Sequence, residues 1–174
     1  MNELPPSPEA AVRTPTPLLI AAIGETVSER AGAINIGLEG CIIAGAFAAY
    51  VLAGAPGGGY TGAMLAGALV GVVFAVFAVL LRRDQIIVGT ALTMLGLGIT
   101  GTLFRARDAG LAALVDTDAV VRVPILSGIP VVGSALFAQP LVTYIAIALV
   151  PAAWWVLNRT HVGLALRAVG ESPD

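Results

Sequence analysis

The sequence predicts an all-α, polytopic membrane protein with about four spanning helices and a short broken or re-entrant helix near the amino terminus. Three observations carry this. Of 174 residues, 57% are hydrophobic and only 11% are charged, whereas soluble domains carry about 25% charged residues. The mean hydropathy of +0.93 makes water a poor solvent for most of the chain. Finally, Gly40 to Leu81 holds no Asp, Glu, Lys, Arg or His, a run long enough for two spans of about 20 residues. The net charge of −2, without a basic cluster, argues against nucleic acid as a partner. Cys41 is the single cysteine, which rules out an internal disulfide or a cysteine-rich metal site and reads as a small hydrophobe.

The elements follow in order. Residues 1–17, "MNELPPSPEAAVRTPTP", form a flexible polar tail rich in proline, with no apolar core of a signal peptide. The apolar run Leu18–Ile23 is too short to span a bilayer. "GETVSERAG" places Glu25 and Glu29 four residues apart and Arg30 beside them; such a run cannot sit in lipid and reads as a solvated juxtamembrane turn. The first span covers 36–54 and the second 60–82, with the turn "GAPGGGY" at 54–60 between them. Arg82 and Arg83 end the second span, and Asp84 caps the third, 85–104. The polar stretch 105–122 is an extramembrane loop. Residues 123–140, with three prolines, suit an extended or re-entrant piece at the interface. The fourth span, 139–157, contains Pro151 and ends near Trp154 and Trp155, which fit an interfacial aromatic belt. The domain reading is therefore a tail (1–17), a membrane core (18–158) and a terminal segment (159–174).

Arginines set the expected orientation. With the 82–84 connection in the cytoplasm, Arg13, Arg30, Arg82, Arg83, Arg159 and Arg167 lie inside, and Arg105, Arg107 and Arg122 lie outside. The positive-inside rule then places both termini in the cytoplasm. Ala63, Gly67, Gly71 and Ala75 put small side chains on one face of the second span, and Gly89, Gly96, Gly98 and Gly101 lighten the third. Small residues let membrane helices approach closely.

The sequence offers no constellation for catalysis. His161 has no neighbouring Cys or His, and no GxSxG, HExxH or P-loop is present. An enzyme is not expected, and no cofactor or metal. "NIGLEG", 35–40, stands out because it sets Asn35 and Glu39 at the mouth of an apolar run. Two readings stay open. Glu39 can sit at a span end in reach of headgroup water, where a carboxylate suits a helix N-terminus. Alternatively, Gly32, Gly37 and Gly40 permit a broken membrane helix in which Asn35 and Glu39 hold freed backbone groups or line a pathway. In 159–174, Val162, Leu166 and Val169 share one helical face, and Gly170 reads as a helix stop. A short amphipathic helix of this kind lies on a membrane or docks on a partner.

Three stretches together resemble one family: "GETVSERAGAINIGLEG" (24–40), "DQIIVGTALTMLGLGITGTLFR" (84–105) and "GLALRAVGESPD" (163–174). They are similar to bacterial ABC-transporter permeases of the simple-sugar and nucleoside import group, relatives of the ribose permeases. The resemblance implies a plasma-membrane permease subunit that moves nucleoside- or sugar-like solutes by alternating access. It also implies four partners: an ABC ATPase, a second permease subunit, an extracytoplasmic solute-binding lipoprotein and the bilayer. Asn35, Gly37, Glu39 and Gly40 would then belong to the translocation core. Gly163, Leu166, Arg167, Val169, Gly170 and Glu171 would belong to the ATPase-coupling loop, with Leu166 and Val169 filling a groove and the two charges at its rim. Family members continue past this loop into further membrane helices, so the chain is expected to be a truncated, amino-terminal portion. The competing expectation is a non-transporting membrane fragment that acts only through helix association.

Overall fold

The computed structural model describes residues 8–55, 57–106, 120–122 and 132–171. Their division is into two compact units, Met1–Val27 with Thr117–Ala165 and Ser28–Asp116 with Leu166–Asp174. Among the described residues, three helices are long and apolar enough to cross a membrane: Gly58–Leu80, Gln85–Ala106 and Leu141–Arg159. Their large apolar side chains are mostly exposed, Met64 at 73% and Met94 at 75% among them. That pattern suits helices solvated by lipid or by further helices rather than by water.

In the first unit, α1 (Pro8–Arg13) precedes α2 (Thr16–Arg30), which runs on into the second unit. Within the expected flexible tail, 1–17, residues 8–13 are helical instead, and residues 1–7 lie outside the described residues. Proline is tolerated in a first helical turn because its missing N–H would be unpaired there anyway. Thr14 closes the other end by donating Oγ1 to Ala10 O at 2.8 Å. The helix is held from outside by Gln139, fully buried, whose Nε2 donates to Glu9 O at 3.0 Å and to Ala135 O at 2.7 Å.

Strand β1 (Val120–Arg122) pairs antiparallel with β2 (Ala138–Pro140), with Val121 opposite Gln139. Tyr144 Oη ties this pair to the helix that follows, donating to Val121 O at 3.1 Å and accepting from Gln139 N at 3.3 Å. The extended end of the expected 123–140 piece is thus present as β2. Its preceding residues are helical instead, as α6 (Val132–Phe137), which packs on α1. The expected loop over 107–119 and the piece over 123–131 lie outside the described residues.

Helix α7 (Leu141–Arg159) continues through Pro151. Near its start, Thr143 and Thr16, both buried, share a 3.3 Å hydroxyl contact. Thr16 therefore stands beside the first turn of α7. Helix α8 (His161–Glu171) leaves from the opposite end, where Gly163 abuts the carbonyls of Val156 and Leu157.

The second unit is built on α3 (Leu38–Leu52), α4 (Gly58–Ala75) with its π-helical extension Val76–Leu80, and α5 (Gln85–Ala106). The first expected span, 36–54, is shorter than predicted: α3 has 15 residues, about 22 Å of rise against a hydrocarbon core of about 30 Å. Its end gives way to a turn leading to Gly57, left-handed at φ 69°. Helix α3 packs on both α4 and α5. Small residues bring the backbones together, but not all those the pattern suggested. Gly45 lies against Ala63, and Gly62 against Ala48 and Leu52, whereas Gly71, Gly98 and Gly101 face open space. Asp84 caps α5 as expected, with its Oδ1 accepting from Ile86 N at 2.8 Å and Ile87 N at 3.3 Å.

Candidate functional site

The run "GETVSERAG" is helical through Arg30, which corrects the expected turn; Glu25 and Glu29 belong to α2. The turn begins one residue later. Gly32 adopts φ +84°, a conformation that favours glycine, and regular structure resumes only at Leu38. Residues 31–37 therefore separate two helices of 15 residues each.

A break of this kind frees backbone groups that need partners where lipid offers none. Two side chains supply them. Asn35 Oδ1 accepts from Gly37 N at 3.0 Å, a local turn two residues long. Gln85, the first residue of α5, accepts from Ile34 N through Oε1 at 2.7 Å. The break is thus hydrogen-bonded to the start of α5, and Gln85 is a residue that sequence reasoning missed. A glutamine that follows an N-capping Asp gives no sequence signal that it will reach a residue 51 positions away.

Glycine completes the junction. A Cβ on Gly89 would lie 2.6 Å from Gly37 N, and one on Gly37 would lie 3.0 Å from Gly89 O. One on Gly40 would lie 3.0 Å from Leu92 O and 3.1 Å from Thr93 Cα. No side chain fits at these three positions without a shift. Thr93 differs from the other threonines of α5. Thr90, Thr100 and Thr102 return their hydroxyls to the carbonyl four residues back, but the buried Thr93 Oγ1 has no hydrogen-bond partner among the described residues. Of the four expected core residues, Asn35, Gly37 and Gly40 meet at this junction. Glu39 sits in the first turn of α3, where its charge suits the helix dipole, and is exposed in this chain.

The terminal segment reaches the same break. A Cβ on Gly170 would lie 2.5 Å from Arg30 O, 3.1 Å from Gly32 N and 3.2 Å from Ala31 C. This corrects the reading of Gly170 as a helix stop: α8 runs through it to Glu171. Its lack of a side chain serves close approach instead. Leu166 and Arg167 are half-buried, and Val162, Leu164 and Val169 are exposed by about 60%. Val169 thus presents an uncovered apolar surface. Gly163 is buried at the start of α8, and Glu171 is exposed at its end.

Among the described residues no group of His, Cys, Asp or Glu is arranged to hold a metal. Fold and site together define a multi-pass membrane protein built around a broken, glycine-packed helix. Residues 8–174 match the family model of the branched-chain amino acid transport system permease component, and the chain belongs to that family. That family consists of transport permease components.

The chain is 38% identical to the guanosine ABC transporter permease protein NupQ of Bacillus subtilis, over 90% of this chain and 53% of that protein. It is 38% identical to the nucleoside ABC transporter permease protein NupC of Lactococcus lactis, over 91% of this chain and 54% of that protein. TsgC13 of Haloferax volcanii, a candidate glucose ABC transporter permease, is 34% identical over 95% of this chain and 51% of its own length. The chain spans about half the length of these relatives. No solved structure gives a significant match.

Proposed function

We propose that the chain forms the amino-terminal portion of an importer permease subunit that carries nucleoside-like or sugar-like solutes by alternating access. The driving ATPase is a separate subunit, and a second permease subunit and an extracytoplasmic binding lipoprotein complete the assembly. The relatives named for guanosine and nucleosides support the solute class. The observation that carries the mechanism is the backbone contact of Gly170 with residues 30–32. It joins a terminal amphipathic helix to a broken helix, two features that an ATP-driven gate requires: a surface to be pushed and an element able to move.

In this reading, Leu166, Arg167, Val169 and Glu171 meet the ATPase, with Gly163 and Gly170 setting the position of α8. Asn35, Gly37, Glu39 and Gly40 belong to the translocation core. Helix α8 faces the cytoplasm. For the amino-terminal part this reading departs from the expected cytoplasmic placement of both ends, supported by Thr16 standing at the start of α7 while α8 leaves from its end. Residues 8–16 are therefore assigned to the extracytoplasmic side. Arg13 then moves outside, and the arginine excess of the cytoplasmic side narrows without changing sign.

The test is crosslinking. With Cys41→Ser as background, Ala168→Cys on the exposed side of α8 should crosslink in native membranes to a subunit carrying a P-loop ATPase sequence. Absence of that crosslink at Ala168 and at Leu164, Ala165 and Val169 would refute the docking.

A further inference from the structure

Where α4 ends and α5 begins, the second unit holds an open pocket of about 460 Å³ lined by Ile34, Ile36, Arg82, Arg83, Asp84, Gln85 and Ile86. We propose that it binds an anionic phospholipid, with the phosphate held by Arg82 and Arg83 and the upper acyl chain lying on the isoleucines. The inference rests on α4 and α5 as membrane spans, but not on transport or on orientation.

Charge comes first. Among the described residues neither guanidinium has an ion-pair or hydrogen-bond partner, and both are exposed. The one acidic lining residue, Asp84, has its Oδ1 engaged in capping α5 through Ile86 N and Ile87 N, and with both arginines ionised the lining keeps a net positive charge. The two arginines therefore present ten N–H donors to whatever enters, in the planar geometry that matches phosphate.

Backbone is the second observation. The π-helical end of α4 closes with Leu81 N on Val76 O at 2.9 Å and Arg83 N on Phe77 O at 3.0 Å. That winding leaves Arg82 at φ 48°, the left-handed region that favours glycine. An arginine thus occupies a position where a glycine would be less strained, and its side chain projects at the mouth of the pocket.

The third is the wall. Ile34, Ile36 and Ile86 are exposed by 54%, 43% and 59%, immediately beyond the end of a 23-residue apolar segment. Charged donors next to uncovered isoleucines at the mouth of a span match a lipid, which has a charged head and an apolar body. They do not match a free phosphate, which has no use for the isoleucines. Gln85 fixes the wall by accepting from Ile34 N at 2.7 Å, so the pocket is set before a ligand arrives.

The experiment uses this chain in a neutral detergent, with native mass spectrometry counting bound lipid. Phosphatidylglycerol, phosphatidylcholine of the same chains and inorganic phosphate are the probes. One phosphatidylglycerol should bind in preference to phosphatidylcholine. Each arginine near a lipid surface is worth about fivefold in binding, so Arg82→Gln with Arg83→Gln should weaken phosphatidylglycerol by about thirtyfold. Arg105→Gln, at the other end of α5, should change nothing. Unchanged affinity in the double variant, equal weakening by Arg105→Gln, or displacement of the lipid by inorganic phosphate at equal concentration would overturn the proposal. Should the double variant lose its helical circular dichroism, Arg83→Gln alone carries the test with about fivefold weakening. None of these readouts involves an ATPase, so failure here is separate from failure of the permease reading.

Discussion

Gly89 and Gly98 lie on the same helix and invite the same substitution, but the structure gives them opposite outcomes. Alanine gains at most about 1 kcal/mol of helix propensity over glycine at either position. At Gly98 nothing lies within 4 Å of the added carbon. The gain stands, and Gly98→Ala should stabilise the chain by up to ~1 kcal/mol. At Gly89 the same carbon would lie 2.6 Å from Gly37 N, 3.0 Å from Ile36 C and 3.1 Å from Ile36 Cβ. Two of these are backbone atoms of the break, which cannot turn aside as a side-chain tip can. Overpacking of this kind costs about 1–3 kcal/mol. After the propensity gain, Gly89→Ala should be destabilising by up to ~2 kcal/mol.

The native Cys41 supplies the assay, because a thiol-reactive dye reports its exposure as the chain unfolds in detergent. For a chain of this size each kcal/mol moves the midpoint by about 2–4 °C. The two variants should fall on opposite sides of the parent, several degrees apart. If Gly89→Ala unfolds at or above the midpoint of Gly98→Ala, then α5 does not press on residues 36–37, and the account of the break is wrong.

Two further outcomes follow from the same geometry. Gly170→Ala should lower the same midpoint by a few degrees, since its added carbon would lie 2.5 Å from Arg30 O, and overpacking costs about 1–3 kcal/mol; an unchanged midpoint would mean that α8 does not rest on residues 30–32. On a Cys41→Ser background, Thr14→Cys should react with a membrane-impermeant maleimide in intact cells and Ala168→Cys only after permeabilisation, and equal labelling of the two would refute the assignment of residues 8–16 to the outside.

The long charge-free runs were legible as helices because lipid imposes a simple rule: a spanning segment must satisfy its own backbone and show apolar side chains. The boundaries of α4, α5 and α7 follow from Arg82, Asp84 and Arg159 for that reason. The short helices were harder. Pro8 looked like a sign of disorder, yet it opens α1, and what stabilises that helix is Gln139, 130 positions away. The glycines divide in the same way. The sequence marks Gly37, Gly40, Gly89 and Gly98 alike, and only the position of a facing backbone separates three that are required from one that is not. Gly170 was misread because glycine after an amphipathic run is usually a stop, whereas here the contact partner lies at residues 30–32.

The way these contacts are chained together bears on the proposed mechanism. Gly170 meets the backbone of residues 30–32, residues 34 and 35 are hydrogen-bonded to Gln85 and Gly37, and Gly37 meets Gly89. From α8 to α5 the links are backbone atoms and the side chains of Asn35 and Gln85, with the Gly37–Gly89 link made by backbone alone. A long side chain in such a chain would absorb a displacement by changing rotamer. Backbone in contact with backbone cannot, because close-packed interiors rearrange between discrete arrangements rather than deform smoothly. In the proposed mechanism a force applied to α8 would reach residues 31–37, the break between α2 and α3, which lacks a regular hydrogen-bond ladder. Asn35 and Gly37 lie in that stretch and Gly40 in the first turn of α3 beyond it, and this ties the residues proposed for the translocation core to those proposed for the ATPase contact by a physical route rather than by family likeness alone.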